Sequence, residues 1–330
     1  MAPKSEDSTW SFASGRAAVL ESWMVPRDFF EHIIRGPRED IYTRLADTLI
    51  GDRFSHGDDL RDSESVFRQF YQGLIGELTE QSPDPYVGNL LLWRKDLRSL
   101  KNHLKRFYFG VDVSEVSSRQ SPEKWDQVRD EPYAGLPRIF RRTFNRACLR
   151  ANPSECSAQV FDAAFDSAVV RELRREAEHA GSEWIGEYWR RFDAIRGVEF
   201  LLRGEALDLD GEVLDLLLEE RAEPDLLDAL REAPVEDRAG LLAGALDGFE
   251  VENLADMSDT ERIREVVHAG DQWLMDYVRE GSLMPFGPER VFACMIGLEA
   301  EGLNMSMAVV GRANELEPEH LDRHLKPCYV

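Results

Sequence analysis

Asp58, Asp59 and Asp62 stand in an Asp-Asp-x-x-Asp spacing. On a helix that spacing puts carboxylates on one face, where they can ligate a hard cation such as magnesium. Ser55 and Gly57 just before them point instead to a loop or a helix cap, and no second metal motif accompanies the trio. His320 and His324 are four apart, which would set two imidazoles on one helix face. No third ligand stands with them, so they read as two exposed histidines. The chain has no Gly-Lys dipeptide. A Walker A loop is therefore absent, and with it the reason to expect nucleotide hydrolysis. Gly-x-Gly and His-Glu-x-x-His are absent too, and no cofactor is expected.

Four carboxylates, Glu21, Asp96, Asp193 and Glu301, recur at comparable places in an internal echo. One copy runs from Tyr86-Val87-Gly88 through Trp93-Arg94-Lys95-Asp96-Leu97 to Phe109-Gly110. A second runs from Gly181 through Trp189-Arg190-Arg191-Phe192-Asp193 to Arg203-Gly204. A third runs from Phe286-Gly287-Pro288 through Glu299-Ala300-Glu301-Gly302 to Gly311-Arg312, and a fainter one opens the chain at Phe12-Ala13-Ser14-Gly15-Arg16 and reaches Glu21. In each a carboxylate sits mid-helix, and in the copies of Asp96, Asp193 and Glu301 the helix is expected to stop at its glycine. A carboxylate on an apolar helix needs a partner three or four residues away, or one on another helix. Two readings stand. The four are half-buried ion pairs copied with a duplicated unit, or they gather around one central opening.

The elements that would position them are helical. Leu90, Trp93, Leu97, Leu100, Leu104 and Phe107 fall on alternating steps of three and four, one stripe of an α-helix. Arg94, Arg98, Lys101 and Lys105 form a second stripe beside it, a solvated face that is also a contact candidate. Strand alternation and hairpin turns are missing. Prolines such as Pro83, Pro122, Pro153, Pro224 and Pro288 separate the periodic stretches. Ten or more helices joined by short loops are expected.

The 330 residues carry 40 basic and 63 acidic side chains, a formal net charge of -23. That field disfavours binding to nucleic acid or anionic lipid and favours a basic partner. The charge is segregated. Arg138, Arg141, Arg142, Arg146 and Arg150 make a basic run, whereas Glu205 to Glu265 holds 20 acidic and 5 basic residues, a local net of -15. The four cysteines have no Cys-x-x-Cys spacing and read as small buried apolar side chains in a reducing compartment. Met1 to Asp7 lacks the apolar core of an export leader. The longest apolar stretch, Val291 to Leu298, is far shorter than the roughly 20 residues a spanning helix needs.

Taken in order, these segments resemble the family of C/d subunits of V/A-type rotary ATPases over nearly the whole chain. The resemblance is carried by Phe12 to Ser22, Arg44-Leu45-Ala46-Asp47-Thr48, Trp93 to Lys101, Phe286 to Arg312 and Leu316-Glu317-Pro318-Glu319-His320-Leu321. The asparagine that follows the carboxylate in the family is present as Asn304 but is replaced by Ser99 and Arg196. The resemblance implies an all-α fold of three pseudo-symmetric helical bundles in a funnel-shaped body. The expected lobes are 9–84 (with 285–330 as a candidate completion), 85–180 and an acidic 181–284. It implies a non-catalytic central-stalk coupling role between the D–F shaft and the membrane rotor c-ring, with the stator's a/I component as a further contact and a location at the cytoplasmic side of the membrane. Asp225 and Asp228, in the acidic segment, are then candidates for the shaft socket alongside the basic stripe. A helical adaptor with another client, and a magnesium-dependent isoprenoid synthase using Asp58, Asp59 and Asp62, are the alternatives.

Overall fold

The computed structural model describes residues 6–55, 57–112, 120–130, 136–252 and 254–330. The first five residues of the opening segment lie outside them. The described residues contain fifteen α-helices and no strand. They divide into two compact units, one of residues 1–88 and 271–330, the other of 89–270. The chain passes from one to the other within α5 (Tyr86–Phe109) and returns within α13 (Asp259–Ser282).

The first unit is built around α14 (Pro288–Ala313), against which α1 (Glu6–Glu21), α2 (Arg27–Arg35), α4 (Glu64–Gln81) and α15 (Pro318–His324) pack. The short α3 (Ile41–Ala46) precedes α4. Pro288 starts α14 at a position where a missing N–H costs nothing. Helix α14 has the length and mean hydropathy of a membrane-spanning segment, yet 67% of its most apolar window is buried in the protein. It is the core helix of this unit. Its glycines let neighbours approach its backbone. A Cβ at Gly302 would lie 2.8 Å from the Tyr71 ring, and one at Gly297 would lie 2.7 Å from the Tyr329 ring.

The second unit holds α6 (Pro122–Asp130), α7 (Arg138–Arg150), α8 (Ala158–Ala177), α9 (Glu183–Ala206), α10 (Gly211–Leu218), α11 (Pro224–Glu232) and α12 (Val235–Ala245), with α7 and α10 both against α8. The starts of α8, α9 and α10 are capped by side chains. The Ser157 and Ser182 hydroxyls accept hydrogen bonds from the Val160 and Ile185 amides at 3.3 Å, and Asp210 accepts one from the Glu212 amide at 2.9 Å. Leu90, Trp93, Leu97, Leu100 and Leu104 are buried in α5, as their spacing requires. Phe107, the last of that stripe, is 55% exposed because it sits in the final turn, where the Arg129 guanidinium covers its ring at 3.8 Å.

The helix stops differ from expectation. Gly110 ends α5 in a left-handed conformation, with φ +63° and its amide on the Arg106 carbonyl at 3.1 Å. Gly204 and Gly311 instead lie inside α9 and α14, whose ends are Ala206 and Ala313. They are small because Leu214 and Leu321 pack against them: added Cβ atoms would fall 2.6 and 2.3 Å from those side chains.

Gly302→Ala and Gly186→Ala should therefore differ in sign. The first pushes a methyl group into a rigid ring and should lower stability by about 1–3 kcal/mol. The second meets nothing within 4 Å and should raise stability by roughly 0.5–1 kcal/mol through helix propensity. Thermal unfolding of the two variants checks this.

Candidate functional site

Asp193, near the middle of α9, is fully buried. A lone ionised carboxylate there would cost several kcal/mol, and two guanidinium groups from other elements offset that. Arg174 of α8 donates from Nη1 to Oδ2 at 2.8 Å, and Arg221, just beyond α10, donates from Nη1 to Oδ1 at 3.0 Å. The Arg221 side chain is 1% exposed. Its Nε donates to the Leu217 carbonyl at 2.7 Å, Nη2 finds no acceptor among the described residues, and the group lies over the Phe200 ring at 4.9 Å. The in-helix candidate, Arg190, is occupied elsewhere: it pairs with Glu187 at 2.7 Å and with Glu223.

Around this pair the basic run of α7 turns inward. Arg142 and Arg146 reach the buried Glu172 of α8 at 2.8 and 3.2 Å. Arg150 reaches Glu220 at 2.7 Å and Glu219 at 3.1 Å, Arg146 reaches Glu220 at 3.2 Å, and Arg171 joins the same carboxylate. Glu220 takes φ +63°, a left-handed conformation that costs a non-glycine residue roughly 1 kcal/mol. That backbone also directs its carbonyl at Arg174 Nη2, 3.2 Å away. The start of the acidic segment is thus bonded to the basic run.

Glu301 is solved differently. It is buried in α14, accepts from the Tyr71 hydroxyl at 2.8 Å and from the Val25 amide at 3.0 Å, and forms no ion pair among the described residues. Burial pushes its carboxyl up to about 7, against the lowering effect of those two hydrogen bonds. The Tyr71 phenol is pushed up by its own burial and then by Glu301. Glu21 is the last residue of α1, not the mid-helix one its place in the echo predicts; it accepts from the Tyr329 hydroxyl at 2.8 Å and pairs with Arg290 of α14. Burial first, with the charges of Glu21 and Glu301 adding to it, holds the Cys294 thiol far above its usual range. Asp96 is buried in α5.

The remaining sequence candidates scatter. Lys101 bonds to Asp166 at 2.9 and 3.0 Å and to Asp162 at 3.2 Å, and Lys105 bonds to Asp162 at 2.9 Å. Burial works against the Lys101 ammonium, but Asp166 and Asp162 outweigh it and raise its pKa. Two of the four stripe cations are therefore spent inside the unit. Arg94 lies over the Phe192 ring at 5.3 Å. Arg98, Asp225 and Asp228 are exposed and form no ion pair among the described residues. The Asp58 carboxylate accepts from the Ser55 amide at 2.7 Å and Asp59 accepts from the Arg61 amide at 3.0 Å, capping a short 3-10 turn that ends at Asp62. Among the described residues no three His, Cys, Asp or Glu side chains gather as metal ligands do. His320 and His324 stack at 4.3 Å on the surface of α15.

Sequence reasoning missed Tyr71, Tyr329, Arg174 and Arg221, because each meets its carboxylate from a different element. Arg290 was missed on the same ground, since it lies on α14 and pairs with Glu21 of α1.

Removing one partner of the buried pair should cost more than the pair is worth. Asp193→Ala, which strands two guanidinium groups, should lose about 3–5 kcal/mol in denaturant unfolding of the second unit. For Glu301 the folded carboxyl lies above its ordinary 4.5. It therefore contributes stability that is complete below that value and is lost as pH rises through about 7. At roughly 1.4 kcal/mol per pH unit the loss is about 3 kcal/mol. Glu301→Gln should flatten the dependence of Tm on pH between those limits, and an unchanged slope would remove the assignment.

A family model described as ATP synthase (C/AC39) subunit matches residues 13–324. No curated protein matches the chain.

Proposed function

The chain belongs to the ATP synthase (C/AC39) subunit family, and on that premise we propose that it is the non-catalytic central-stalk coupling component of a rotary V/A-type ATPase. The match over nearly the whole chain carries this reading. In it the chain links the D–F shaft to the membrane rotor c-ring, with the stator's a/I component as a further neighbour. It sits at the cytoplasmic side of the membrane through the complex. The funnel of three pseudo-symmetric lobes, 9–84 with 285–330, 85–180 and 181–284, belongs to the same proposal.

Torque transfer asks for stiffness and for two gripping faces. The carboxylates whose partners are described support the first. Glu21, Asp193 and Glu301 each tie elements together inside one unit rather than facing a substrate. The charge distribution supports the second. Lys101, Lys105, Arg142, Arg146 and Arg150 are bound internally, whereas Arg98 of the α5 stripe is exposed and forms no ion pair among the described residues, and Asp225 and Asp228 on α11 remain exposed. The acidic segment is then the face suited to a basic shaft protein, through complementarity that salt screens.

The full chain should bind a cognate D–F pair at low salt and weaken as salt rises. Asp225→Lys with Asp228→Lys should weaken it by about tenfold or more at low salt, with the difference shrinking at high salt. Calorimetry of both chains across an ionic-strength series measures this. Absence of any binding by the unaltered chain removes the coupling role. Binding unaffected by the reversal removes only the assignment of this face.

A further inference from the structure

Residues 325–330 follow α15 without forming a helix, yet Leu325, Pro327, Cys328 and Tyr329 are all buried. A non-helical segment that leaves water must find partners for its backbone polar groups. Here side chains of two long helices supply them. Asn304 of α14 clamps Lys326 from both sides, its Oδ1 accepting from the Lys326 amide at 2.7 Å and its Nδ2 donating to the Lys326 carbonyl at 2.9 Å. Arg279 of α13 donates to the Tyr329 carbonyl at 3.3 Å and to the Cys328 carbonyl. The Lys326 ammonium pairs with Asp271. The Tyr329 ring lies against Gly297, where a Cβ would come within 2.7 Å of it, and its hydroxyl reaches Glu21 at the end of α1 at 2.8 Å.

These contacts share one property. From Lys326 to Tyr329 the segment is held by side chains of other elements, whereas α1, α13 and α14 keep their own backbone hydrogen bonds whether or not it is present. A piece attached in that way opens at a lower free energy than the helices under it. We infer that residues 325–330 form a releasable strap, seated as a ligand in cis on α1, α13 and α14. It detaches locally while the helices stay folded, and it uncovers the α14 face from Gly297 to Asn304. With its neighbours, that face carries what an extended peptide needs: the Gly297 gap for an aromatic ring and the Asn304 amide for its backbone on α14, the Glu21 carboxylate of α1 for its hydroxyl, and the Arg279 guanidinium of α13 for further backbone carbonyls.

Two cysteines report on the two kinds of opening. Cys328 is in the strap and Cys294 is fully buried in α14. In the full chain carrying Cys148→Ser and Cys156→Ser, labelling by N-ethylmaleimide can be followed at each by peptide mass spectrometry. Cys328 is expected to label while Cys294 stays protected, and faster as salt weakens the Lys326–Asp271 pair. Tyr329→Phe removes only the hydroxyl bond to Glu21 and should speed Cys328 labelling by about tenfold with Cys294 unchanged. Asn304→Ala should do the same or more. Labelling of both thiols at one common rate in the unaltered strap would mean that the segment leaves only when the unit unfolds, and would overturn the proposal. A Cys328 rate that Tyr329→Phe leaves unmoved would overturn it as well. If Asn304→Ala exposes Cys294 too, the Tyr329→Phe comparison decides.

Discussion

Guanidinium groups taken out of water organise the second unit. Desolvating an arginine is costly unless its planar fork meets carboxylates and carbonyls in several directions at once. Arg221 meets one of each and lies over a ring. To deliver those partners, α9 must present Asp193 at one height, α10 must end at Leu218, and α8 must bring Arg174 alongside. The left-handed Glu220 follows from the same demand, since its carbonyl and carboxylate serve arginines of both α7 and α8. Four helices and one loop therefore share a register that no single apolar contact would fix.

The first unit applies the opposite solution to the same residue type. Its mid-helix carboxylate, Glu301, has a phenol and a backbone amide in place of a cation. With hydrogen bonds alone, burial favours the neutral acid, and its proton affinity reaches the physiological range. Asp193 and Glu301 occupy equivalent places in the internal echo, yet one is fixed by charge and the other by donors that do not titrate near it. Two buried mid-helix carboxylates are thus held by partners of different chemistry.

Helicity was legible because it rests on local spacing. The apolar stripe of α5 and the proline boundaries gave the elements without tertiary information. The absence of a Walker A loop and the order of short motifs pointed to the family that the whole-chain match shows. Partnerships were not legible. Asp193 meets Arg174 and Arg221 across 19 and 28 positions, and nothing in the spacing singles out those two among 40 basic residues. The basic stripe of α5 reads as a contact candidate, yet Lys101 and Lys105 are bound to Asp162 and Asp166, because a sequence cannot tell a cation facing solvent from one facing the next helix. Gly204 and Gly311 misled for a related reason. A glycine is equally suited to ending a helix and to letting a leucine lie against one.

The apolarity of α14 reaches beyond the finished fold. Before α14 has docked on α4 and the rest of its coat, a nascent chain carrying Pro288–Ala313 displays a stretch as greasy as a bilayer anchor. Targeting machinery sorts such stretches by their transfer energy, not by their eventual fate, and each charged or amide group near the middle raises the threshold for insertion. Glu301 and Asn304 sit in that stretch. The groups that position neighbours in the folded state thus also argue against misdelivery during synthesis. A variant that made the whole helix aliphatic would trade a small gain in packing for ambiguity about which solvent the segment belongs in.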